Sequence, residues 1–421
     1  MASSDLSAAV ALNPGNIFAG AVSSRPAGAT LDRRDLLPLL AAMLFTALCA
    51  YGLWLLWDGL LPVDDRYYGG DPMRVLTNLR STQSDFHRTP FHPLFASFCA
   101  MFANIQQSFG IGTKAMLAGG SVFYGTLSGG LTYVTARLFG AEKQWALAAV
   151  ALFCASGGFI AWSSIPESHV WGGISVLICL IGAHFLPTAL PQRVLASAGL
   201  FVIASSAVFT NILSWAFATC LVERADRFGL TGIVSIIRRN LLPFTISLAL
   251  GLLLLYLASL AQSAYFYPNT ALGQFLSFEG DHKYFFKGGF GYKLNGLFAF
   301  GLFAPYPNRI VNLAGLLVTL IAVGTIFFGL RRATPTLRML TLYLPAILVW
   351  HSIYARDEAF ICAPNYVAVF SILLVVAASR IVDSVILRYC IFVAIAGIGL
   401  FNLIEHIRVI AAMPIAYRFP I

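Results

Sequence analysis

Uncharged apolar runs of about 20 residues recur along this chain, and no other feature restricts its fold as much. The first, Leu36–Trp57, covers 22 residues. It is followed by Ala115–Ala136, Gln144–Pro166, Ser168–Gln192, Val194–Val222, Asn240 to about Gln262, Ile310–Leu330, Met339–Ala355, Ala359–Ser379 and Tyr389–Ile404. A helix of about 20 residues crosses roughly 30 Å of hydrocarbon. Lipid offers no hydrogen bonds, so a spanning segment must satisfy its backbone internally, and a helix does so. Charged residues make up only 11% of the 421-residue chain, against about 25% in soluble domains. The expected fold is therefore all-α, a polytopic helical membrane protein.

Two segments decide how many times the chain crosses. Phe91–Gly110 is apolar but interrupted by His92, Asn104, Gln106 and Gln107. If it spanned, twelve basic residues between Arg137 and Arg388 would move to the outer face. Lys and Arg favour the cytoplasmic side, so this segment is read as an amphipathic helix lying in the interface. Val194–Val222 is 29 residues long, about 43 Å as one helix. Two short helices turning near Thr210-Asn211 keep the basic loop Arg224–Arg239 inside. The expectation is about eleven spans, with the loops Arg137–Lys143, Arg224–Arg239 and Arg331–Arg338 cytoplasmic.

Residues 1–35, rich in Ala, Ser, Gly and Pro, read as a disordered cytoplasmic tail. Residues 36–421 then form one integral membrane domain, with long outer loops at 58–114 and 263–309. The formal net charge is +9, but the basic residues lie scattered between spans. That pattern orients a membrane protein and gives no sign of a nucleic-acid partner. The seven cysteines form no CxxC pair, and most lie in apolar runs. They indicate neither a disulfide framework nor a zinc site.

Polar chemistry concentrates in the expected outer segments. Asp58–Pro93 holds five aspartates, four arginines and two histidines. Asp64, Asp65 and Asp71 flank Tyr67 and Tyr68, and Gly69-Gly70 permits a backbone bend before Asp71. A carboxylate here can take a proton from an acceptor hydroxyl or hold a divalent cation such as Mg or Mn through oxygen ligands. A solvated loop acid is the plainer alternative for each. Arg74 follows three residues after Asp71. His92-Pro93 opens the interfacial helix, with His92 either a helix-start residue or a ligand-binding group.

The turn Ser164-Ile-Pro-Glu-Ser-His169 joins two runs, and Glu167 is the only acid between Glu142 and Glu223. An ordinary interfacial charge is the alternative reading for it. The long loop carries Lys283, Lys287 and Lys293 among aromatics and ends at Arg309. Arg356, with Asp357 and Glu358, forms the last outer cluster. Cations on the outer face run against the orientation bias and point to an anionic ligand at headgroup level. General attraction to anionic lipid is the alternative.

These residues give the chain a resemblance to the GT-C glycosyltransferases, membrane enzymes that use polyprenyl-phosphate sugars. Gly-Gly-Asp71-Pro-Met-Arg74-Val, followed by Arg88-Thr-Pro-Phe-His92-Pro-Leu, is similar to their first outer loop. There an acid after the first span serves catalysis, and a His-Pro-Leu element opens a juxtamembrane helix. Ile165-Pro-Glu167-Ser-His169 resembles the second outer loop, and Arg356-Asp-Glu358-Ala-Phe360 an acid-plus-aromatic element before a late span. The metal-binding DxD of oligosaccharyltransferases is absent, since Asp64 and Asp65 are adjacent and Asp71 is isolated.

The resemblance implies sugar transfer at the periplasmic face of the cytoplasmic membrane. The donor is a polyprenyl-phosphate sugar and the acceptor a lipid, glycan or protein. Asp71, Asp65, Asp64 and Glu167 are the catalytic candidates. Arg74, His92, His169, Lys283, Lys287, Lys293, Arg309, Arg356 and Glu358 are the substrate-binding ones. No metal ligands are assigned, and a divalent cation (Mg or Mn) remains an open cofactor. A polysaccharide ligase or polymerase with a polyprenyl-diphosphate donor is the alternative enzyme. A lipid or solute transporter would need ionisable residues within spans. Apart from His184 and a few end residues, the runs lack them.

Overall fold

A computed structural model describes residues 31–57, 60–62, 72–80, 92–165, 167, 168–187, 189–221, 230–265, 297–331, 333, 341–353, 359–413 and 418–420. Apart from one small ribbon, the regular structure there is helical. The α-helices are α1 (Leu36–Leu56), α2 (Pro72–Arg80), α3 (Phe95–Phe109), α4 (Thr113–Leu138), α5 (Lys143–Ala155), α6 (Gly157–Trp162) and α7 (Ser168–His184). They continue with α8 (Leu190–Ala207), α9 (Ile212–Leu221), α10 (Leu230–Tyr265), α11 (Arg309–Leu330), α12 (Tyr343–Ile353), α13 (Ala363–Ser379) and α14 (Val385–Ala412). Strands β1 (Leu60–Pro62) and β2 (Arg418–Pro420) pair antiparallel, with Leu61 opposite Phe419.

Among the described residues five helical stretches are long and apolar enough to cross a membrane: Arg33–Leu56, Leu190–Ala207, Arg238–Gln262, Arg309–Leu330 and Val385–Ala412. They expose many large apolar side chains, Leu37, Ile310 and Ile386 among them. The chain is a helical membrane protein.

α1 and α4 pack most closely, because α4 removes side-chain bulk where the two helices meet. A Cβ on Gly125 would stand 2.6 Å from the Thr46 carbonyl, and one on Gly129 would stand 2.1 Å from the Thr46 hydroxyl. Small residues four apart let helix backbones approach closely, which matters where lipid supplies no hydrophobic drive between helices. One end of this pair is clamped by charge. Arg137 Nε lies 2.8 Å from Asp35 Oδ1, to which the Tyr133 hydroxyl also donates at 2.7 Å. Arg137 donates a further bond to the Ala141 carbonyl at 2.5 Å.

The same end gathers a group of basic side chains among the described residues. Lys143 pairs with Asp32 at 3.3 Å, and Arg193 donates to Asn240 at 2.7 Å. Gly329, next to the end of α11, packs on Ala377 near the end of α13, and Arg380 reaches toward Gly140. Phe392, in the first turns of α14, stacks on Trp145 of α5. Arg33, Arg34, Arg137, Lys143, Arg193, Arg331, Arg380 and Arg388 thus share one end, here called the basic end. At the opposite end Lys114 lies over the Trp54 ring, Trp57 meets His406, and Pro364 meets Gly173.

The long run Val194–Val222 does break near Thr210-Asn211. Val208 is extended (φ −145°, ψ 115°), a 3-10 turn covers Phe209–Asn211, and α9 begins at Ile212. Trp215 Nε1 donates to the Ser197 carbonyl at 2.8 Å. In one straight helix those 18 positions would be about 27 Å apart. The chain therefore turns back on itself.

The first loop also contains the expected helix. α3 has 15 residues, about 22 Å. His92-Pro93 precedes its first turn and does not lie within it. Its buried positions, Phe95, Ala96, Cys99, Ala100 and Ala103, form one stripe, with Asn104, Gln107 and Ser108 exposed.

Of the expected outer loop 263–309, only the two ends lie among the described residues. α10 runs on to Tyr265, and residues 266–296 lie outside the described residues. Leu297, Ala299, Phe300, Leu302 and Ala304 are buried in the main core. The Gly157 and Gly158 amides donate to the Leu302 and Gly301 carbonyls at 3.1 and 2.8 Å. Asn402 of α14 donates to the Leu302 carbonyl at 3.0 Å and accepts from the Tyr306 hydroxyl at 2.9 Å. Irregular backbone is tolerated within a bundle where protein groups satisfy it, and Asn402 supplies those bonds.

The α1–α4 contact generates a prediction. Gly129→Ala should lower stability in detergent by about 1–3 kcal/mol, the usual cost of overpacking. Gly119→Ala, where no atom lies within 4 Å, should be neutral or stabilising through helix propensity. Thermal unfolding of the two purified variants measures the difference.

Candidate functional site

The end of the bundle opposite the basic end assembles the polar turn before α7. Glu167 occupies the N-cap position in extended conformation (φ −144°, ψ 144°). Its Oε1 accepts from both the Ser168 amide and the Ser168 hydroxyl, each at 2.7 Å. An acid is favoured there, since the first amides of a helix lack intrahelical acceptors and carry partial positive charge. Glu167 is only 1% exposed. Burial of this degree does not fit an ordinary interfacial charge.

His92 reaches the same turn from the start of α3. Its Nδ1 lies 2.8 Å from the Ala207 carbonyl, which requires a proton on Nδ1. Its Nε2 is 3.5 Å from the Ser168 hydroxyl. Around it the Leu94 amide donates to the Ser206 carbonyl at 2.9 Å, and Gln262 Nε2 donates to the Pro93 carbonyl at 3.0 Å. His92-Pro93-Leu94 is thus fastened to the ends of α8 and α10.

His169 stands edge-on to His92, with ring centroids 5.5 Å apart. Its Nδ1 faces Asn365 Nδ2 at 2.9 Å. Asn365 Oδ1 in turn accepts from Asn211 at 3.2 Å, which fixes the orientation of the Asn365 amide. The amide nitrogen then donates to His169 Nδ1, so a neutral His169 carries its proton on Nε2. Gly172 makes room for this chain, because a Cβ there would meet Asn365 Oδ1 at 2.1 Å.

Beside Glu167 a cavity of about 50 Å³ opens between α2, α3, α4 and α7. Phe98, Phe102, Tyr124 and Trp171 wall it, and Ser163, Ser164 and Glu167 supply its polar side. The Trp171 ring lies 4.3 Å from Phe98 and 5.9 Å from Phe102, centroid to centroid. The cavity can therefore combine aromatic faces with hydroxyl and carboxylate groups.

The structure brings Glu167, His92 and His169 together. Arg309 opens α11 after Asn308, whose side chain caps the helix, and is exposed. Arg74 lies in the first turn of α2. Asp64, Asp65, Asp71, Lys283, Lys287, Lys293, Arg356 and Glu358 lie outside the described residues. Among the described residues no group of three His, Cys, Asp or Glu side chains is arranged to hold a metal ion. Sequence reasoning missed Ser163, Ser164, Asn211, Gln262 and Asn365. Asn211 and Asn365 were detectable as amides within apolar runs, where an unpaired polar group is costly.

The Asn211–Asn365–His169 chain yields a second prediction. Asn365→Leu leaves the Asn211 amide and His169 Nδ1 without that partner and should cost about 1–3 kcal/mol. Gly172→Ala should destabilise through the same contact, whereas Gly199→Ala, with open space around it, should not. Unfolding midpoints in one detergent give the comparison.

Compared with known proteins, the chain matches no family model, no curated protein and no solved structure.

Proposed function

We propose that this protein is a membrane glycosyltransferase that moves a sugar from a polyprenyl-phosphate donor to a lipid, glycan or protein acceptor. In this reading the chain crosses the cell membrane about eleven times, with α3 in the interface. The basic end faces the cytoplasm, as the orientation of Lys and Arg favours, and the Glu167 end faces outward. The observation that carries the reading is a carboxylate buried beside an aromatic, hydroxyl-bearing cavity at the end away from the basic girdle. Glycosyl transfer can use a carboxylate to take the acceptor's proton and aromatic groups to hold a sugar.

The chemistry is the loss of a proton from the acceptor hydroxyl as its oxygen bonds to the anomeric carbon. The bond from that carbon to the phosphate oxygen breaks, and the phosphate leaves with the electron pair. A carboxylate takes the proton. Asp71 is assigned this role, with Asp64 or Asp65 supporting it by charge or by holding a divalent cation, and Glu167 as the further acid candidate. Lys283, Lys287, Lys293, Arg309 and Arg356 would meet the departing phosphate, since charge-assisted bonds to phosphate exceed neutral ones.

Lipid-linked sugars and envelope glycans compared between a strain lacking the protein and its parent should reveal a missing sugar and an accumulated donor. In membranes, Asp71→Asn should reduce transfer by about two to four orders of magnitude at unchanged protein level. Near-normal turnover would move the role to Asp65 or Glu167. Arg309→Ala should raise the donor concentration needed for half-maximal rate while leaving membrane insertion intact. Unchanged donor dependence there would count against phosphate binding by Arg309.

A further inference from the structure

Glu167 is only 1% exposed, and the cavity beside it measures about 50 Å³. One water in the liquid takes about 30 Å³, so no sugar ring fits there. Glu167 can meet a sugar only if a wall moves. Tyr124 of α4, Ile165 of the polar turn and Val170 of α7 line the cavity and belong to the main core. Leu79 of α2 and Phe98 and Phe102 of α3 line it from outside that core. Val75, Leu76 and Leu79 of α2 pack with Phe95 and Cys99 of α3 in a small hydrophobic cluster of their own, which Leu117 of α4 completes. Trp171 borders both clusters. The cavity thus lies on a seam between two separately packed units, and such units open locally at less cost than a core.

Polar bonds hold α3 at both its ends. At its start Gln262 of α10 accepts from the Ser97 amide at 2.9 Å and the Ser97 hydroxyl at 2.8 Å, and donates to the Pro93 carbonyl at 3.0 Å. At its far end Gln106 donates to the Thr113 hydroxyl at 3.0 Å, and Arg80 at the end of α2 donates to the same hydroxyl at 3.2 Å. Between Gln106 and Thr113 the chain passes Gly110, in the left-handed region (φ 62°), and Gly112. A Cβ at either would meet nothing within 4 Å. Glycine with open space around it turns at little steric cost, and hinges are short segments at element ends.

We propose that α3, with α2 packed on it, is a lid over Glu167, hinged at Gly110–Gly112 and latched to α10 by Gln262. The inference rests on the glycosyltransferase reading and adds how a sugar reaches the buried carboxylate. As the lid swings, the bonds of Gln262, His92 and Leu94 part, while the two Thr113 bonds stay together at the pivot. Phe98 and Phe102 then leave Trp171, and Glu167 is uncovered.

The test uses the whole chain in lipid nanodiscs, with Ser121→Cys in a Cys390→Ser background. Ser121 lines the cavity and is buried. Cys179, fully buried on α7 in the main core, is the internal reference. N-ethylmaleimide is added, and mass spectrometry reads the rate at each thiol. Ser121→Cys should react faster than Cys179. Gln262→Leu should speed Ser121→Cys about tenfold through the lost hydrogen bonds and leave Cys179 unchanged. Ser97→Ala, which removes one of the three bonds, should give a smaller rise. If Ser121→Cys lowers the melting point, Gly120→Cys replaces it, because Gly120 lines the same cavity and has open space at its Cβ.

Equally slow reaction of the cavity thiol and Cys179 would overturn the lid. So would a Gln262→Leu variant with no effect at the cavity thiol, or one that speeds both thiols alike, which would make Gln262 a general stabiliser. Sugar transfer without the expected labelling pattern would reject the lid and keep the transferase. The pattern without any sugar transfer would do the reverse.

Discussion

Each polar group inside an apolar bundle must find a partner within the protein, and the rest of this structure depends on that requirement. Water is not there to pay the cost of an unpaired amide, hydroxyl or charge. The Asp35 carboxylate is held by Arg137 and Tyr133 and fastens α1 to α4. Asn402 satisfies the irregular segment that precedes α11. Asn211 and Asn365 link the turn before α9 with α13 and α7 through Gly172 and His169. Each bond fixes the relative position of helices that lipid alone would let slide.

The site follows from the same requirement. His92 is fastened to the end of α8, His169 to Asn365, and Glu167 to the first turn of α7. Two segments distant in sequence, at 92–94 and 167–169, therefore present one polar surface, with α3 closing its side. Removing either partner of a buried charge pair such as Asp35–Arg137 is more damaging than replacing both, because it strands a charge. Ser163, Ser164, Thr132, Thr210, Ser259 and Ser371 depart from the rule, with hydroxyls that lack partners among the described residues.

Much of the helical layout was legible in the sequence, because uncharged length alone predicts a helix in lipid. The break at Thr210-Asn211 was legible too, since 29 uncharged residues exceed one crossing. The buried segment at 297–306 was not. Its apolar run is too short to span, so hydropathy assigns it to a loop, and its burial depends on distant partners, Gly157, Gly158 and Asn402. In the site, Glu167 stood out as an isolated acid and His92 and His169 as flanking histidines. Their meeting depends on the hairpin of α8 and α9 and on the docking of α3, which no local pattern encodes. Asn365 was visible as an amide in an apolar run, but its pairing was not, as its partners lie 154 and 196 positions away.

The central claim is that the two ends of this bundle lie on opposite sides of a membrane, the basic end inward and the Glu167 end outward. Single cysteines test it most directly, placed in a Cys390→Ser background because Cys390 is exposed. Ser108→Cys lies at the exposed end of α3 and Gln144→Cys at the exposed start of α5. In intact cells with the outer barrier opened, a membrane-impermeant maleimide should label Ser108→Cys at once. It should reach Gln144→Cys only after the inner membrane is permeabilised. Labelling of both positions from the same side, or of Gln144→Cys alone from outside, would contradict the account.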